Sequence, residues 1–278
     1  IKGIKVRVLT ANEQNSGKGK ELSKEMELFS AWKEGVIKNS WHAYWIAKEL
    51  EWFSSLGANL KNFRVRQHTA KERSHYSSDT WDIEYNFPMG WRELQGFANR
   101  GDFDLSQHEK FSGKSLEVND PKYGKVLPDV VCEPSLGVER AFLVFMLESL
   151  SFDKARDNFV LKLSPKLAPV KVAVFPIVKN DQSAVKFARE IFKGLKKKFG
   201  AVVYDESGSI GRRYARNDEI GTPFCVTIDA QSLEDKSVTI RERDSTHQVR
   251  VSSEELAPKL SQLLNQEMEF ERAGKRVR

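Results

Sequence analysis

The chain has 278 residues, 40% hydrophobic and 30% charged, enough to bury one large core or two ordinary ones. It carries 45 Lys and Arg against 39 Asp and Glu, for a formal net charge of +6. No uncharged apolar run approaches the roughly 18 residues of a membrane-spanning helix, and the opening Ile1-Lys-Gly-Ile-Lys5 has no apolar leader core. The missing initiator Met makes a fragment the expectation. Cys132 and Cys225 stand alone, without a CxxC partner. Neither a zinc site nor a disulfide framework is supported, and buried free thiols in a reducing cytosol are expected.

In chain order, Ile4 to Leu9 alternates as a short strand and Glu21 to Gly35 is helix-like. Asn39-Ser40 caps an amphipathic helix running to Ser55, with Gly57 as its stop. Its apolar residues Trp41, Tyr44, Trp45, Leu50, Trp52 and Phe53 are expected on a core face. Trp81, Ile83, Tyr85 and Phe87 alternate with Asp82, Glu84 and Asn86. Pro88-Met89-Gly90 turns, and Trp91 to Ala98 returns as the second arm of a hairpin. Asp129 to Cys132 reads as a strand feeding the apolar helix Val138 to Leu150. Residues 151–169 change character, with charges and two prolines, and place a domain boundary at 160/161. Then follow strand Val170–Ile177, helix Gln182–Phe199, strand Ala201–Tyr204, helix Ile210–Asp218 and strand Thr222–Ile228. A hairpin of Ser237–Glu242 and His247–Val251 comes next, and a helix capped at Ser252 ends the pattern. The tail from Glu271 is expected to fray. The fold class is therefore α+β followed by an α/β layer with a mixed, mostly parallel sheet.

Three constellations carry chemistry. In Trp91 to Arg100, alternation places Glu93, Gln95 and Arg100 near one polar sheet surface. A carboxylate there suits an ammonium group and an arginine suits a carboxylate or phosphate. In Cys132 to Arg140, Glu133 and Ser135 leave a strand end, Gly137 permits close backbone approach, and Arg140 opens an apolar helix. Arg140 needs an anion, which is either a triphosphate with Glu133 as metal ligand or Glu133 itself. The third lies at Gly208 to Asp229, where Arg212, Arg213 and Arg216 flank Tyr214. Residues 161–220 hold 13 basic and 6 acidic residues, so the whole positive excess lies there. That is the footprint of a phosphate-backbone partner, although Lys196-Lys197-Lys198 also suits a solvated helix face. His68, Glu72 and His75 match no metal-ligand spacing.

These residues resemble the glycyl-tRNA synthetases of class II, of the archaeal and eukaryotic-like type. Arg64-x-Arg-Gln-His68, His75-Tyr76, Trp81-Asp82, Gly90-Trp91, Glu93, Gly96 and Arg100 are similar to the stretch after motif 2. Glu133-Pro-Ser135 with Gly137-Val-Glu-Arg140 resembles motif 3. Gly208-Ser-Ile-Gly-Arg-Arg-Tyr-Ala-Arg216 and Arg241-Glu-Arg-Asp244 resemble the anticodon-binding domain. The resemblance implies residues 1–160 as part of a catalytic domain and 161–278 as the anticodon-binding domain. It implies ATP-dependent activation of glycine and transfer to glycine tRNA, in a cytoplasmic protein that is dimeric at full length. Glu93 and Ser135 would contact the glycine ammonium, and Arg100 the carboxylate or phosphate. Glu133 would hold magnesium on ATP beside Gly137, and Arg140 the γ-phosphate. Arg212, Arg213, Arg216, Arg241 and Arg243 would contact tRNA, while Tyr214 either stacks on a base or fills the core.

Motifs 1 and 2 are not found, and Gly101 stands where the family has Ser or Thr. Weak or absent aminoacylation by this chain alone is therefore expected. The rival reading is a non-catalytic nucleic-acid-binding protein on the same architecture, which would have no need of Glu93, Arg100, Glu133, Ser135 and Arg140.

Overall fold

Strand alternation in residues 63–99 organises the first half of the molecule. The computed structural model describes residues 3–16 and 23–277. They form two units, Ile1–Phe145 and Met146–Arg278. The first contains β1 (Lys5–Leu9), α1 (Ala11–Asn15), β2 (Lys24–Glu27), α2 (Leu28–Lys33), α3 (Ser40–Ser55), β3 (Phe63–Gln67), β4 (Asp79–Phe87) and β5 (Gly90–Asn99). It continues with α4 (Phe103–Ser112), β6 (Val118–Asp120), β7 (Gly124–Val126), β8 (Glu133–Leu136) and the start of α5 (Val138–Ser149). Six strands form one sheet in the order β2-β1-β3-β4-β5-β8. Its neighbours are antiparallel except β1 and β3. One face is apolar: Phe63 and Val65 lie beside Tyr85, Ile83, Trp81 and Phe97, all buried. Phe53 of α3 covers it, 5.4 Å from Phe63 and stacked at 5.6 Å on Phe145.

Three local expectations change. Residues 24–27 form a strand paired with β1, so the helix expected over 21–35 shrinks to α2; residues 21 and 22 lie outside the described residues. Pairing with a neighbouring strand outweighs helix propensity over so short a stretch. The strand expected at 129–132 lies instead at 133–136. Pro134 sits there on the sheet edge, where its missing N–H costs no ladder bond. Helix α3 begins at the expected Asn39 cap, whose side chain accepts from the Trp41 N–H at 2.8 Å. Its buried face, however, is Ala43, Ile46, Ala47, Leu50 and Phe53. Trp41, Tyr44, Trp45 and Trp52 face outward, between 38% and 52% exposed. The helical period sets these residues on the opposite side from the Ala/Ile/Leu stripe.

The second unit begins with a hairpin, β9 (Leu150–Asp153) and β10 (Asn158–Leu161), where the domain boundary is expected from the sequence. Residues 146–160, assigned by sequence to the first domain, pack here: Arg156 reaches the Arg243 and Asp244 carbonyls, and Asn158 the Ala215 carbonyl. Then come β11 (Val172–Pro176), α6 (Gln182–Phe199), β12 (Val202–Tyr204), α7 (Ile210–Glu219), β13 (Phe224–Ile228) and α8 (Ala230–Asp235). The unit ends with β14 (Ser237–Glu242), β15 (Gln248–Ser252), α9 (Ser253–Leu264) and β16 (Lys275–Arg276). The sheet order is β12-β11-β13-β14-β15-β16. Strands β12, β11 and β13 run parallel; the other three junctions are antiparallel, so the parallel half is the smaller one. Val172, Val174, Val226 and Ile240 pack with Ala188 of α6 and Leu260 of α9 in one cluster. Ala173, Phe175 and Cys225 pack with Ile210 and Tyr214 of α7 in another. The sheet is thus covered on both faces, as an α/β layer requires.

The described part of the C-terminal tail does not fray. Strand β16 pairs with β15, and Gly274 lies against the Arg250 carbonyl so closely that any Cβ there would overlap it. Gly274→Val is expected to detach β16 and cost about 1–3 kcal/mol. Urea denaturation measures this; an unchanged midpoint would mean that the strand contributes nothing.

Candidate active site and nucleic-acid interface

The polar face of the first sheet is built by strand register. In an antiparallel pair, opposed residues point to the same side. Arg66, Asp82, Gly96 and Ser135 form one row across β3, β4, β5 and β8. Thr80, Ala98 and Glu133 form the next row, and Arg64, Glu84 and Glu93 the row on the other side. Gly96 and Ala98 are therefore the floor of a trough. Asp82 and Thr80 flank it on β4, Ser135 and Glu133 on β8, and Glu93 and Arg100 stand towards its two ends.

This arrangement depends on a bulge. Ile83 pairs with Gln95 but Glu84 pairs with Glu93, so Leu94 is an extra residue. Simple alternation puts Glu93 and Gln95 on one face; the bulge separates them. Gln95 turns beside Ile83 and Leu136, is buried, and its Oε1 has no hydrogen-bond partner among the described residues. Glu93 joins the row of Glu84. The Arg140 guanidinium donates Nη1–H to the Glu93 carbonyl, tying the first turn of α5 to the bulge. Gly137 is not crowded: a Cβ there would meet the Arg140 side chain at 3.8 Å.

Arg100 is held on three sides. Its Nε and Nη2 donate to Asp104 at 2.5 and 2.6 Å, and its Nη1 to Glu133 at 3.0 Å. Its guanidinium lies 4.0 Å from the Tyr76 ring centre. The hydrogen bonds it donates to Asp104, then to Glu133, raise its pKa above the ordinary value. Arg64 is buried, paired with Glu84 and 4.6 Å from the Trp91 ring centre. Arg66 pairs with Glu72 at 2.5 Å. His68 Nε2 lies 2.6 Å from Asp82 Oδ2. Arg64, His68, Tyr76, Asp82, Glu84 and Asp104 received no role from sequence reading. The alternation of Arg64-Val-Arg66 and Asp82-Ile-Glu84 was the available signal, but not which residues it would meet.

In the second unit the five candidate arginines divide. Arg213 is 1% exposed and donates to the carbonyls of Pro176, Glu206 and Gly208 at 2.5, 3.0 and 2.8 Å. Arg241 makes a bidentate pair with Asp218 at 2.8 and 2.9 Å and lies over Tyr214. Arg243 donates to the Gly221 and Leu163 carbonyls, each at 2.9 Å. These three are buried and spent on the protein, which corrects the expectation that they contact tRNA. Tyr214 is a core residue whose hydroxyl pKa is pushed up to about 12 by burial. Arg212 and Arg216 are exposed on α7. Arg216 donates to Asp205 at 2.5 Å and to the Ser207 carbonyl at 2.9 Å, while Arg212 has no side-chain partner among the described residues. Lys196, Lys197 and Lys198 lie in the last turn of α6, where cations meet the helix's negative end.

Residues 171–263 match the family described as anticodon binding domain. The chain is 47% identical over 226 residues to the glycine–tRNA ligase of Caldanaerobacter subterraneus subsp. tengcongensis, covering 81% of this chain and 48% of that protein. It is 45% identical to the glycine–tRNA ligase of Thermobifida fusca, over 81% of this chain and 50% of that one. This chain is homologous to part of a glycine–tRNA ligase. It spans about half the length of the curated relatives it matches. The glycine–tRNA ligase of Corynebacterium glutamicum agrees, at 44% identity over 86% of this chain and 53% of its own length. Among solved structures, a prolyl-tRNA synthetase of Cryptosporidium parvum, complexed with L-proline and AMP, superposes with a TM-score of 0.51. It shares 21% identity and covers 73% of this chain and 42% of its own, which bears on the fold.

The hydrogen bond to Asp82 raises the His68 pKa above its ordinary 6.5, against a smaller opposing effect of burial. A raised folded pKa gives stability that is complete below the unfolded value and lost as pH rises through the folded one. Denaturation at stepped pH is expected to show this loss above about pH 6.5, and His68→Gln to flatten it. An identical pH profile in the variant would refute the coupling.

Proposed function

We propose that this chain supplies the amino-acid-binding part of a class II catalytic domain and the anticodon-binding domain of a glycine–tRNA ligase. The observation that carries the reading is the trough over Gly96 and Ala98, in which register brings Glu93, Ser135, Glu133 and Arg100 around a floor without side-chain bulk. A small zwitterion fits that polarity, with its ammonium towards Glu93 and Ser135 and its carboxylate towards Arg100. The reaction is attack of a glycine carboxylate oxygen on the α-phosphorus of ATP. Pyrophosphate leaves and glycyl-adenylate forms. The 3′ hydroxyl of glycine tRNA then takes the glycyl group and releases AMP. No covalent bond to the protein is needed, so the side chains act by positioning and charge.

Glu133 suits a magnesium ion carried on ATP. Its side chain is 45% exposed and Arg100 bonds one of its oxygens, leaving the other free. Among the described residues no three metal-ligating side chains converge, so phosphate oxygens and water would complete the shell, as magnesium commonly prefers. The ion would neutralise phosphate charge. Arg140, exposed at the mouth of α5, is placed for the outer phosphates once it releases the Glu93 carbonyl. Of the five candidate arginines, Arg212 and Arg216 are the exposed ones and are read as contacting tRNA. The full-length protein is read as a cytoplasmic homodimer.

Amino-acid-dependent ATP–pyrophosphate exchange tests the reading. The assay uses this chain alone and this chain fused to the part of the Caldanaerobacter relative that it does not cover. Glycine-dependent exchange is expected in the fusion, and little or none in the chain alone. Arg100→Ala should lower the fusion's rate about a hundredfold or more. No exchange in the fusion, with salt-sensitive tRNA binding retained, would instead favour a non-catalytic binding protein. Arg212→Ala and Arg216→Ala should each reduce the salt slope of tRNA binding by about one charge. Arg213→Met should destabilise the domain.

A further inference from the structure

The geometry points to Asp82 as a second carboxylate for the substrate ammonium group, with Gly96 keeping open the place where that group sits. The inference rests on the glycine–tRNA ligase reading and adds a specificity-determining residue to it.

A Cβ built on Gly96 would lie 3.5 Å from Asp82 Oδ1 and 3.8 Å from Glu93 Oε1. Two carboxylate oxygens on neighbouring strands therefore converge above one residue without a side chain. Ser135 faces the same residue from the third strand. Asp82 is 3% exposed, and its other oxygen is fixed by His68 at 2.6 Å, so Oδ1 is aimed rather than free to swing. Other carboxylates on this face have a cation of their own: Glu84 has Arg64, and Glu133 has Arg100. Arg66, beside Asp82 in the row, is turned to Glu72. Glu93 has no side-chain partner among the described residues. The point above Gly96 thus faces two carboxylates and a hydroxyl, and the His68 ring lies on the far oxygen of Asp82. Like charges so placed call for a cation.

A primary ammonium has three N–H donors. Asp82 Oδ1, Glu93 Oε1 and the Ser135 hydroxyl offer three acceptors around one floor position. A methyl group at residue 96 would stand at ordinary contact distance from both carboxylates, so the fold tolerates it. It would, however, fill the ammonium's place.

Binding of glycine and of methylammonium to the 278-residue chain, followed by ligand-observed NMR, is the test. The variants are Asp82→Asn, which keeps the side chain's shape, and Gly96→Ala, which leaves both carboxylates in place. Thermal melts of each variant confirm folding. Both variants are expected to weaken both ligands by roughly tenfold to a hundredfold, the range for hydrogen bonds to charged groups. Glycine binding that neither variant alters would overturn the role of Asp82 and leave the ligase reading intact. Methylammonium bound and lost in both variants, with no binding of glycine, would keep the ammonium subsite and count against the ligase reading. No binding of either ligand to the wild-type chain would overturn the inference.

Discussion

One extra residue in β5 decides which side chains share the charged face of the first sheet. Side chains in a strand alternate with period two, so a bulge moves everything beyond it to the other face. Because Leu94 is inserted opposite the Ile83–Glu84 step, Glu93 lies in line with Gly96, Ala98 and Arg100. Without it, Gln95 would stand in the trough and Gly96 would face the apolar side. The trough, its small floor and the convergence of Asp82 with Glu93 all follow from this insertion. Arg140 bonds the Glu93 carbonyl, so α5 is fastened at the same point.

The charges on that face are kept in order by their pairings. Burying an unpaired ion is costly, and breaking a buried pair typically costs about 3–5 kcal/mol. Arg64 is satisfied by Glu84 and the Trp91 ring, and Arg100 by Asp104, Glu133 and the Tyr76 ring. Such pairs hold the walls of the trough in place. The same rule explains the second unit. Asp218 is 1% exposed and holds both Arg156 and Arg241, while Arg213 and Arg243 hold backbone carbonyls. An arginine-rich segment can serve internal satisfaction as well as a nucleic acid.

How much was legible in the sequence varies with the range of the interaction that sets each feature. Helices α6 and α9 and strand β14 lie where the pattern puts them, because Asp181 and Ser252 are local caps and the apolar period runs the length of each element. Strand β2 and the β9–β10 hairpin were not legible, because stretches of four residues become strands only when a neighbour pairs with them. Four exposed aromatics on α3 were read as core because hydrophobicity was weighed without the competing Ala/Ile/Leu stripe. Glu93, Arg100, Glu133 and Ser135, given roles from their motifs, meet around one trough; Asp82 and His68 match the same pattern but carried no role in it, because only register brings Asp82 over Gly96.

The sequence by itself determined the alternation of elements, the separation of an antiparallel first half from an α/β second half, and the kinship carried by motifs such as Glu133-Pro-Ser135 and Gly208 to Arg216. These are local or contiguous properties, written in period, caps and short motifs. Only the tertiary structure decided which arginines are spent inside, that residues 146–160 belong with the second unit, and that Gly96 lies between two carboxylates. Each of these depends on register or on burial between residues far apart in the chain. A one-residue change in pairing reverses them while leaving the local pattern almost unaltered.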